Sequence, residues 1–416
     1  MKIEKNLKKE TLYLYLIQIS NFILPLIAFP YLANKLGVVG FGKLGFAQAV
    51  FFLLNFIIDF GFILSGAKSV SNHLGNWNAL SKIYTNIQIV KFVIFVSCLI
   101  IIFPLVNLMD LDKFDSTIII LTVLASFGAV LTPSYLFNGM SKNSVLALIS
   151  IVVRSVFILP VFFIVNNPDD TIIAIILQIF PNVIIGGIIQ FLIIKRKYVE
   201  FNLSYFDLAV LWKETKASYE NFIASFFTLG FTYLTPLFVK FTLGDVALGL
   251  YTLVDRLIAA FRQIYVPINQ AFFSRVCISF EKKEFDMYVF ILKKTSIIFL
   301  TFGLIAILVH TFVGEWLIEK FFGAGFDIYG FLFIAIFTQI IVSFASILVN
   351  FVIIPSNTSY LLKRIYLIGL VVYIPMCVFL IKLFDLIGVF FAMLIVETLI
   401  LSLLLYCSYF SVYKKF

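Results

Sequence analysis

The feature that most constrains this chain is a succession of apolar runs, each about 20 residues long, separated by short polar interruptions. The hydrocarbon core of a bilayer is roughly 30 Å thick, and a helix needs roughly 20 apolar residues to cross it. Only 13% of the 416 residues are charged, compared with about 25% in soluble domains. The sequence also lacks the ~10-residue alternating segments of a membrane β-barrel. It therefore predicts an all-α integral membrane protein.

The apolar runs predict about twelve membrane-spanning helices. Their expected ranges are 11–34, 41–64, 83–106, 117–138, 145–165, 171–194, 218–241, 247–274, 289–313, 328–354, 359–382 and 386–410. By this map, 21 Lys and Arg residues lie on one side of the membrane and five on the other. Positive residues concentrate on cytoplasmic segments. We therefore expect a multi-pass protein of the inner membrane with both termini in the cytoplasm, and the net charge of +9 is mainly a topology signal rather than evidence of nucleic-acid binding.

An internal repeat is visible at the first helix connection of each half. The motif Leu-Gly-x-x-x-x-Gly occurs at residues 36–42 and again at 243–249, a spacing of 207 residues. This spacing predicts two six-helix halves, 1–194 and 218–416, similar to the parallel repeats of several transporter folds. The segment 195–217 is expected to be a cytoplasmic linker, with an amphipathic helix over 205–212 lying on the inner surface.

Predicted helix 8 carries the clearest polar pattern. Seven residues make about two helical turns, so polar residues that recur every seven positions lie along one side of a helix. The stripe consists of Asp255, Arg256, Arg262, Gln263, Asn269 and Gln270. It lines a polar cavity if it faces water, and it is a purely structural feature if its charges pair internally. Polar residues at this depth would be unstable against lipid.

Further polar residues are predicted to share that cavity. Helix 2 carries Gln48, Asn55 and Asp59, and helix 7 carries Glu220. Because helix 2 is the repeat-equivalent of helix 8, we expect helices 1, 2, 7 and 8 to surround a central polar cavity. Asp59, Asp255 and Glu220 are candidates for proton or sodium coupling, and the two aspartates are equally candidates for counter-charges to the arginines.

Three isolated charges complete the set of candidate site residues. Arg154 lies midway along helix 5, too deep to reach the interface easily, and is expected to contact substrate. Lys91 in helix 3 either contacts substrate or extends toward the inner interface. Glu397 in helix 12 is either an ion-coupling residue or part of a structural pair.

Several function classes are excluded by what the sequence lacks. It contains two histidines and four widely spaced cysteines, so neither a metal nor a redox site is expected. There is no phosphate-binding lysine loop, dinucleotide fingerprint or nucleophile elbow. The short outward loops leave no room for a catalytic domain. We therefore expect a transporter without a cofactor rather than an enzyme.

The first 62 residues resemble a known family. The segment 18–36, "QISNFILPLIAFPYLANKL", is followed by "GVVGFG" at 37–42, Phe46-Ala47 and "DFGF" at 59–62. These elements resemble the start of the Wzx-type flippases of O-antigen and other polysaccharide repeat units. Those flippases belong to one superfamily with the multidrug exporters (MATE) and the lipid II flippases, which is known as the multidrug/oligosaccharidyl-lipid/polysaccharide (MOP) exporter superfamily.

The resemblance implies a fold, a cargo and partners. It implies a MATE-like fold and transport of an undecaprenyl-pyrophosphate-linked oligosaccharide to the periplasmic leaflet by alternating access. It also implies a polysaccharide polymerase and a chain-length regulator as partners, and a cationic cavity that Arg256, Arg262, Arg154 and Lys91 would supply.

The alternatives are an exporter of drugs or organic ions, or a flippase for another lipid-linked precursor. A cation exporter should favour acidic and aromatic cavity residues, whereas the sequence suggests that cavity cations at least equal the carboxylates.

Overall fold

The computed structural model describes the backbone of residues 2–108, 112–323, 325–356 and 358–413, with side chains from residue 27 onward except 228, 229 and 410–413. These residues are almost entirely helical and form no strand, so the predicted all-α class is confirmed. The helices are α1 (Lys2–Asp59), α2 (Phe62–Asn72), α3 (Trp77–Leu108), α4 (Lys113–Leu131), α5 (Ser134–Gly139), α6 (Asn143–Ile164), α7 (Thr171–Ile179), α8 (Pro181–Arg196), α9 (Leu208–Arg262), α10 (Tyr265–Glu281), α11 (Phe285–Phe322), α12 (Tyr329–Leu348) and α13 (Tyr360–Tyr413).

Three of these helices are too long to be single spans. α1, α9 and α13 contain 58, 55 and 54 residues, and each would be about 80 Å or more in length if straight. Each contains one residue with non-helical backbone angles, which are Gly37, Gly244 and Asp385. In α1 the rings of Phe29 and Phe41 lie 6.1 Å apart across Gly37, whereas a straight helix would separate these positions by about 18 Å. The chain therefore reverses at this residue.

Nine apolar helical segments within the described residues are long enough to cross a membrane. Three of them, Ile27–Asn72, Gly230–Glu281 and Tyr360–Tyr409, each contain one of the three hinge residues. Apolar side chains such as Phe163 and Phe312 are about 80% exposed, as expected of residues that face lipid. The chain is thus a multi-pass membrane protein. Nine segments with three internal hinges are compatible with twelve spans, and that count stays a prediction.

The two repeated glycines adopt the same unusual backbone conformation. Gly37 has φ 65° and ψ −179°, and Gly244 has φ 81° and ψ −169°. This region is essentially restricted to glycine, because a Cβ would clash with the backbone. Nothing lies within 4 Å of a Cβ added at either position, so local backbone geometry alone requires glycine. Their shared conformation supports the predicted repeat, although the boundaries of the two halves stay a prediction.

The chain divides into two compact units, Met1–Phe226 and Phe227–Phe416. The division falls inside α9, because the first turns of this helix pack on the first unit. The hydroxyl of Ser218 is hydrogen-bonded to that of Ser65, and Gly61 lies against the backbone of Ser218 and Phe222. Aromatic stacking of Phe222 on Phe56 and Phe60 continues this contact.

Each unit has its own packed core. In the first unit α6 packs against α1, α2 against α5, and α4 against α8. The last pair approaches closely, since a Cβ at Gly128 would lie 2.6 Å from the backbone of Asn182. In the second unit α12 contacts both α11 and α13, and Tyr265, Tyr288 and Phe299 form part of its core.

Four predicted helices are interrupted, which the sequence analysis did not foresee. Predicted helix 6 breaks at residue 180, between α7 and α8. Predicted helix 2 breaks at residues 60–61, where Gly61 has a positive φ. Predicted helix 4 breaks at residues 132–133, where Pro133 supplies no backbone donor. Predicted helix 8 breaks at residues 263–264. Pro267 explains this last break, because it cannot donate to the carbonyl of Gln263 and its ring crowds that carbonyl.

The linker is held on α3 and does not form the separate surface helix that was predicted. Residues 203–205 make a single 3-10 turn, and α9 begins at residue 208. The Asn86 side chain donates to the carbonyl of Tyr205 and accepts from the amide of Asp207. Asp207 caps α9 through the amide of Ala209 and forms an ion pair of 2.6 Å with Lys82. The hydrogen bond from Lys82 lowers the pKa of Asp207.

Candidate functional site

The second unit contains a cavity of about 390 Å³ formed by α9, α12 and α13. The described residues that line it all belong to this unit. They include Thr232, Tyr251, Asp255, Ile258 and Arg262 from α9, Thr338, Gln339, Val342 and Ser346 from α12, Asn350 just beyond α12, and Tyr366, Tyr373, Phe390 and Glu397 from α13. Polar and aromatic side chains are therefore concentrated inside a unit whose outer surface is apolar.

The contribution of α9 comes from one face of the helix. Tyr251, Asp255, Ile258 and Arg262 follow one another at intervals of four, three and four residues, which is the spacing of one helical face. Arg256 lies about 100° further around the helix and is not among the described lining residues, although its charge interacts with Asp255. The predicted stripe is therefore wider than the cavity: Asp255 and Arg262 line it, whereas the adjacent Arg256 does not.

Polar side chains of α12 hold Arg262 and Asn269 in place. The Nε of Arg262 donates to the Oε1 of Gln339 at 3.2 Å, and the rest of its side chain is open to the cavity. The amide nitrogen of Asn269 donates to the hydroxyl of Ser346 at 2.9 Å. The side-chain oxygen of Asn269 is buried and has no hydrogen-bond partner among the described residues. Buried acceptors normally have a donor, so this oxygen has capacity for one more contact.

The described lining of this cavity contains more carboxylates than cations. Its described lining contains one cation, Arg262, and two carboxylates, Asp255 and Glu397. Arg262 and Glu397 lie close enough for their charges to interact. Carboxylates outnumber cations in this lining, because Arg256 is not part of it and α13 supplies Glu397. The expected balance of charges in the central cavity stays a prediction.

Lys91 and Asp59 form an ion pair in the first unit, in which the lysine is buried and the aspartate is partly exposed. The side chain of Lys91 is completely buried, and its Nζ lies 2.8 Å from the Oδ1 of Asp59. The same ammonium donates to the carbonyl of Thr132 at 3.4 Å. Lys91 therefore does not extend to the interface, and Asp59 serves as its counter-charge. The two residues are brought together by the crossing of α1 and α3.

The other predicted site residues of the first unit are dispersed. Arg154 is half-buried in α6, and its Nη2 donates to the Oδ1 of Asn182 at 3.1 Å. Gln48 is buried, and the Oδ1 of Asn55 is buried without a hydrogen-bond partner among the described residues. Glu220 is exposed. The expected central cavity concerns the arrangement of the two units and stays a prediction.

Several functional candidates escaped the sequence analysis. Gln339, Ser346 and Asn350 lie on the cavity at spacings of seven and four residues, a signal comparable to that of helix 8. In the first unit Glu214 is buried, and the hydroxyl of Ser69 shares its one proton between the two carboxylate oxygens, at 2.9 and 2.8 Å. No cluster of three metal-ligating side chains occurs in the described part of the chain.

The fold of this chain is that of solved transporters of the MOP superfamily, and this similarity defines its structural class. Its structure is similar to an inward-facing multidrug resistance MATE family transporter, with a TM-score of 0.70 at 13% identity, covering 92% of this chain and 96% of that one. It is also similar to a MOP superfamily transporter from Pyrococcus furiosus, with a TM-score of 0.61 at 12% identity, covering 96% and 95%.

Within that class, the chain belongs to the family described as polysaccharide biosynthesis proteins, whose model matches residues 7–274. Two relatives carry the name of an O-antigen transporter. The one from Shigella dysenteriae is 25% identical over 401 residues, covering 96% of this chain and 99% of its own length. The one from Escherichia coli K12 is 26% identical over 272 residues, covering 65% of each chain. The resemblance to the Wzx-type flippases is confirmed, and these relatives are named as transporters rather than enzymes.

Proposed function

We propose that this protein is a flippase for an undecaprenyl-pyrophosphate-linked oligosaccharide, an O-antigen or related polysaccharide repeat unit. It moves this cargo from the cytoplasmic to the periplasmic leaflet of the inner membrane, with both of its own termini in the cytoplasm. The family and the names of the two relatives support the class of cargo.

The cavity of the second unit is the observation that carries this proposal. It keeps Asp255, Arg262 and Glu397 inside an apolar helical unit, although a charge within the bilayer costs roughly 2.5–3.5 kcal/mol by insertion scales. Such charges persist where they line a hydrophilic pathway. The polyprenyl tail of the cargo stays in lipid, and only its polar head needs this pathway.

Transport proceeds by alternating access. The head group enters while the protein is open to the cytoplasm, and a rearrangement then opens it to the periplasm. An inside-negative potential favours the outward movement of an anion by about 2.3 kcal/mol per charge per 100 mV. Asp255 and Glu397 are the candidates for coupling to protons or sodium ions, and a polymerase and a chain-length regulator are the expected partners.

A complementation assay tests this function. The gene is expressed in a Gram-negative strain that lacks its own repeat-unit flippase and makes a panel of lipid-linked repeat units. Wild-type protein should restore polymerised surface polysaccharide, and Arg262→Ala should reduce it by about tenfold or more, because the one cation among the described lining residues is lost. Lack of restoration by well-expressed wild-type protein across the panel would contradict the proposal.

A second candidate function is export of an organic cation. It is favoured by the two carboxylates and the aromatic rings of the cavity. Expression in a drug-sensitive strain would then raise resistance to cationic dyes, and Glu397→Gln would abolish the gain. Unchanged resistance would count against this function.

A further inference from the structure

The first unit carries a basic cluster at the place where α6 begins and α8 ends, on the side of the membrane that the sequence analysis predicts to be cytoplasmic. The cluster consists of Lys142, Lys195, Arg196 and Lys197. We infer that it binds the headgroup of an anionic phospholipid. This inference goes beyond the proposed function, because it concerns a lipid that surrounds the protein and not the cargo.

The ring of Tyr198 brings two of these cations together. The Nζ of Lys142 lies over the ring, 4.0 Å from its centroid, which is a cation–π contact. The Nη1 of Arg196 donates to the hydroxyl of the same tyrosine at 3.1 Å. This bond uses one guanidinium N–H, and the others remain available to phosphate oxygens. Two like charges are thus held near one ring, and an anion that contacts both would relieve their repulsion.

Backbone contacts hold the turn that carries the other cations. Lys197 has φ 49° and ψ 43°, a left-handed conformation that is uncommon for a residue with a Cβ. The amides of Lys197 and Tyr198 donate to the carbonyls of Ile194 and Ile193, which satisfies the last turn of α8. The indole nitrogen of Trp77 donates to the carbonyl of Lys197 at 3.2 Å. The turn is therefore already ordered, and a ligand does not have to pay for ordering it.

No carboxylate compensates the cluster. None of its four cations forms an ion pair within the part of the chain that the structure describes. The two stretches that supply them, 134–147 and 185–199, contain no Asp or Glu. Each uncompensated Lys or Arg near a bilayer surface raises the affinity for anionic lipid by roughly fivefold. The cluster thus has the charge that a phosphate headgroup requires.

The side chains beside the cluster favour a phospholipid over a free phosphate ion. Phe191 and Ile194, in the last turns of α8, are 62% and 73% exposed, as expected of side chains that contact acyl chains. Trp77 is also exposed, and tryptophan is typical of the membrane–water interface. A phospholipid would contact the cations with its phosphate and these apolar side chains with its acyl chains, whereas a soluble anion would use the cations alone.

Trp77 provides a reporter for the test, because its indole contacts the basic turn. The chain has three tryptophans, and Trp212→Phe with Trp316→Phe leaves Trp77 alone. Full-length protein is placed in phosphatidylcholine nanodiscs that contain increasing fractions of phosphatidylglycerol or phosphatidylcholine with brominated acyl chains. Bromine quenches tryptophan fluorescence only at close range. Brominated phosphatidylglycerol should quench Trp77 with an apparent affinity about tenfold higher than that of brominated phosphatidylcholine.

Neutral variants test whether the cations cause this preference. Lys142→Gln combined with Arg196→Gln should abolish it, because both cations at Tyr198 are removed. Arg196→Gln alone changes one exposed side chain and should lower the preference by about fivefold, which keeps the test available if the double variant does not fold. Arg196→Lys keeps the charge and should keep most of the preference.

Lys320→Gln is the matched control. Lys320 is an exposed cation that also lies over an aromatic ring, with its Nζ 4.4 Å from the centroid of Trp316. It belongs to the last turn of α11, far along the chain from the basic cluster. Trp316→Phe keeps an aromatic ring beneath it. This control should retain the full preference for phosphatidylglycerol.

The outcomes distinguish a phospholipid site from a site for the cargo. Equal quenching by the two brominated lipids, or an unchanged preference in the double variant, would overturn the inference. One equivalent of undecaprenyl pyrophosphate per protein should leave the quenching by brominated phosphatidylglycerol unchanged. Its loss on that addition would assign the cluster to the polyprenyl carrier and would also overturn the inference.

Discussion

The two units treat their intramembrane charges in opposite ways. In the first unit, the ammonium of Lys91 is completely buried against Asp59, and Arg154 is bonded to Asn182. In the second unit, Asp255, Arg262 and Glu397 surround an open cavity. In the first unit the charged groups are engaged by other side chains of the protein. In the second unit they line a cavity, where a ligand can reach them.

This difference separates stability from function. An ion pair with a buried member is costly to break, because the buried ammonium of Lys91 depends on Asp59 for its compensation and cannot itself reach water. A charge that lines a hydrated cavity keeps access to water, so its removal costs the fold less and affects the ligand more. The expected effects of substitutions therefore differ in kind between the two units.

The largest expected effect is on the pair of Lys91 and Asp59. Lys91→Met should lower the free energy of unfolding by about 2 kcal/mol, because a completely buried ammonium is removed and Asp59, which is 27% exposed, loses its counter-charge. Replacing both residues, as in Lys91→Met with Asp59→Leu, should recover much of this loss. Thermal unfolding in detergent measures both variants. Arg262→Met in the cavity is the comparison, and an equal loss of stability there would remove the distinction between the units.

The hinge glycines should behave alike in both units. Gly37→Ala and Gly244→Ala should each cost about 1–3 kcal/mol, since the required backbone region is essentially closed to other residues. No neighbouring atom lies within 4 Å of the added Cβ, so packing adds nothing to this cost. Unfolding midpoints of the two variants should agree closely. A clear difference between them would argue against an internal repeat.

The third hinge should respond in the opposite direction. Asp385 has φ 49° and ψ −133°, a conformation unfavourable for a residue with a Cβ. Asp385→Gly should therefore raise the stability of the second unit by about 1 kcal/mol. Thermal unfolding again provides the measurement, and a loss of stability would show that the aspartate side chain contributes more than its backbone costs.

The smallest effect concerns the linker on α3. Asp207→Asn should increase the rate of proteolytic cleavage between residues 198 and 207, because the ion pair with Lys82 is lost, although an asparagine can still accept from the amide of Ala209. The lowered pKa of Asp207 means that this contact is intact above the ordinary value of about 3.9 and disappears as the pH falls through the lowered pKa. Hydrogen exchange of the linker amides should thus, after correction for intrinsic rates, be constant between pH 5 and pH 8. A change in that range would implicate another group.

The sequence predicted those parts of the fold that depend on length and local chemistry. Apolar runs located the helices, and the Leu-Gly motifs located the hinges at Gly37 and Gly244, because their requirements are local. The interruption caused by Pro267 was equally local and could have been predicted. The pairing of Lys91 with Asp59 could not, since it joins residues 32 positions apart through the packing of two helices.

The candidate site was harder to predict for a related reason. A seven-residue spacing identifies the residues on one face of a helix, but it does not show which of them line the cavity. Asp255 and Arg262 line the cavity while the adjacent Arg256 does not. The charge balance depended on Glu397 from α13, which a pattern within α9 cannot reveal. Gln339 and Asn350 carried a usable spacing signal that was overlooked.

The single-residue hinges also bear on how the chain is inserted into the membrane. In α1, α9 and α13 a single residue separates two helical arms, so there is no loop that could pause on one side of the membrane while the second arm is synthesised. We therefore expect the two arms of each of these helices to enter the bilayer together, as a helical hairpin.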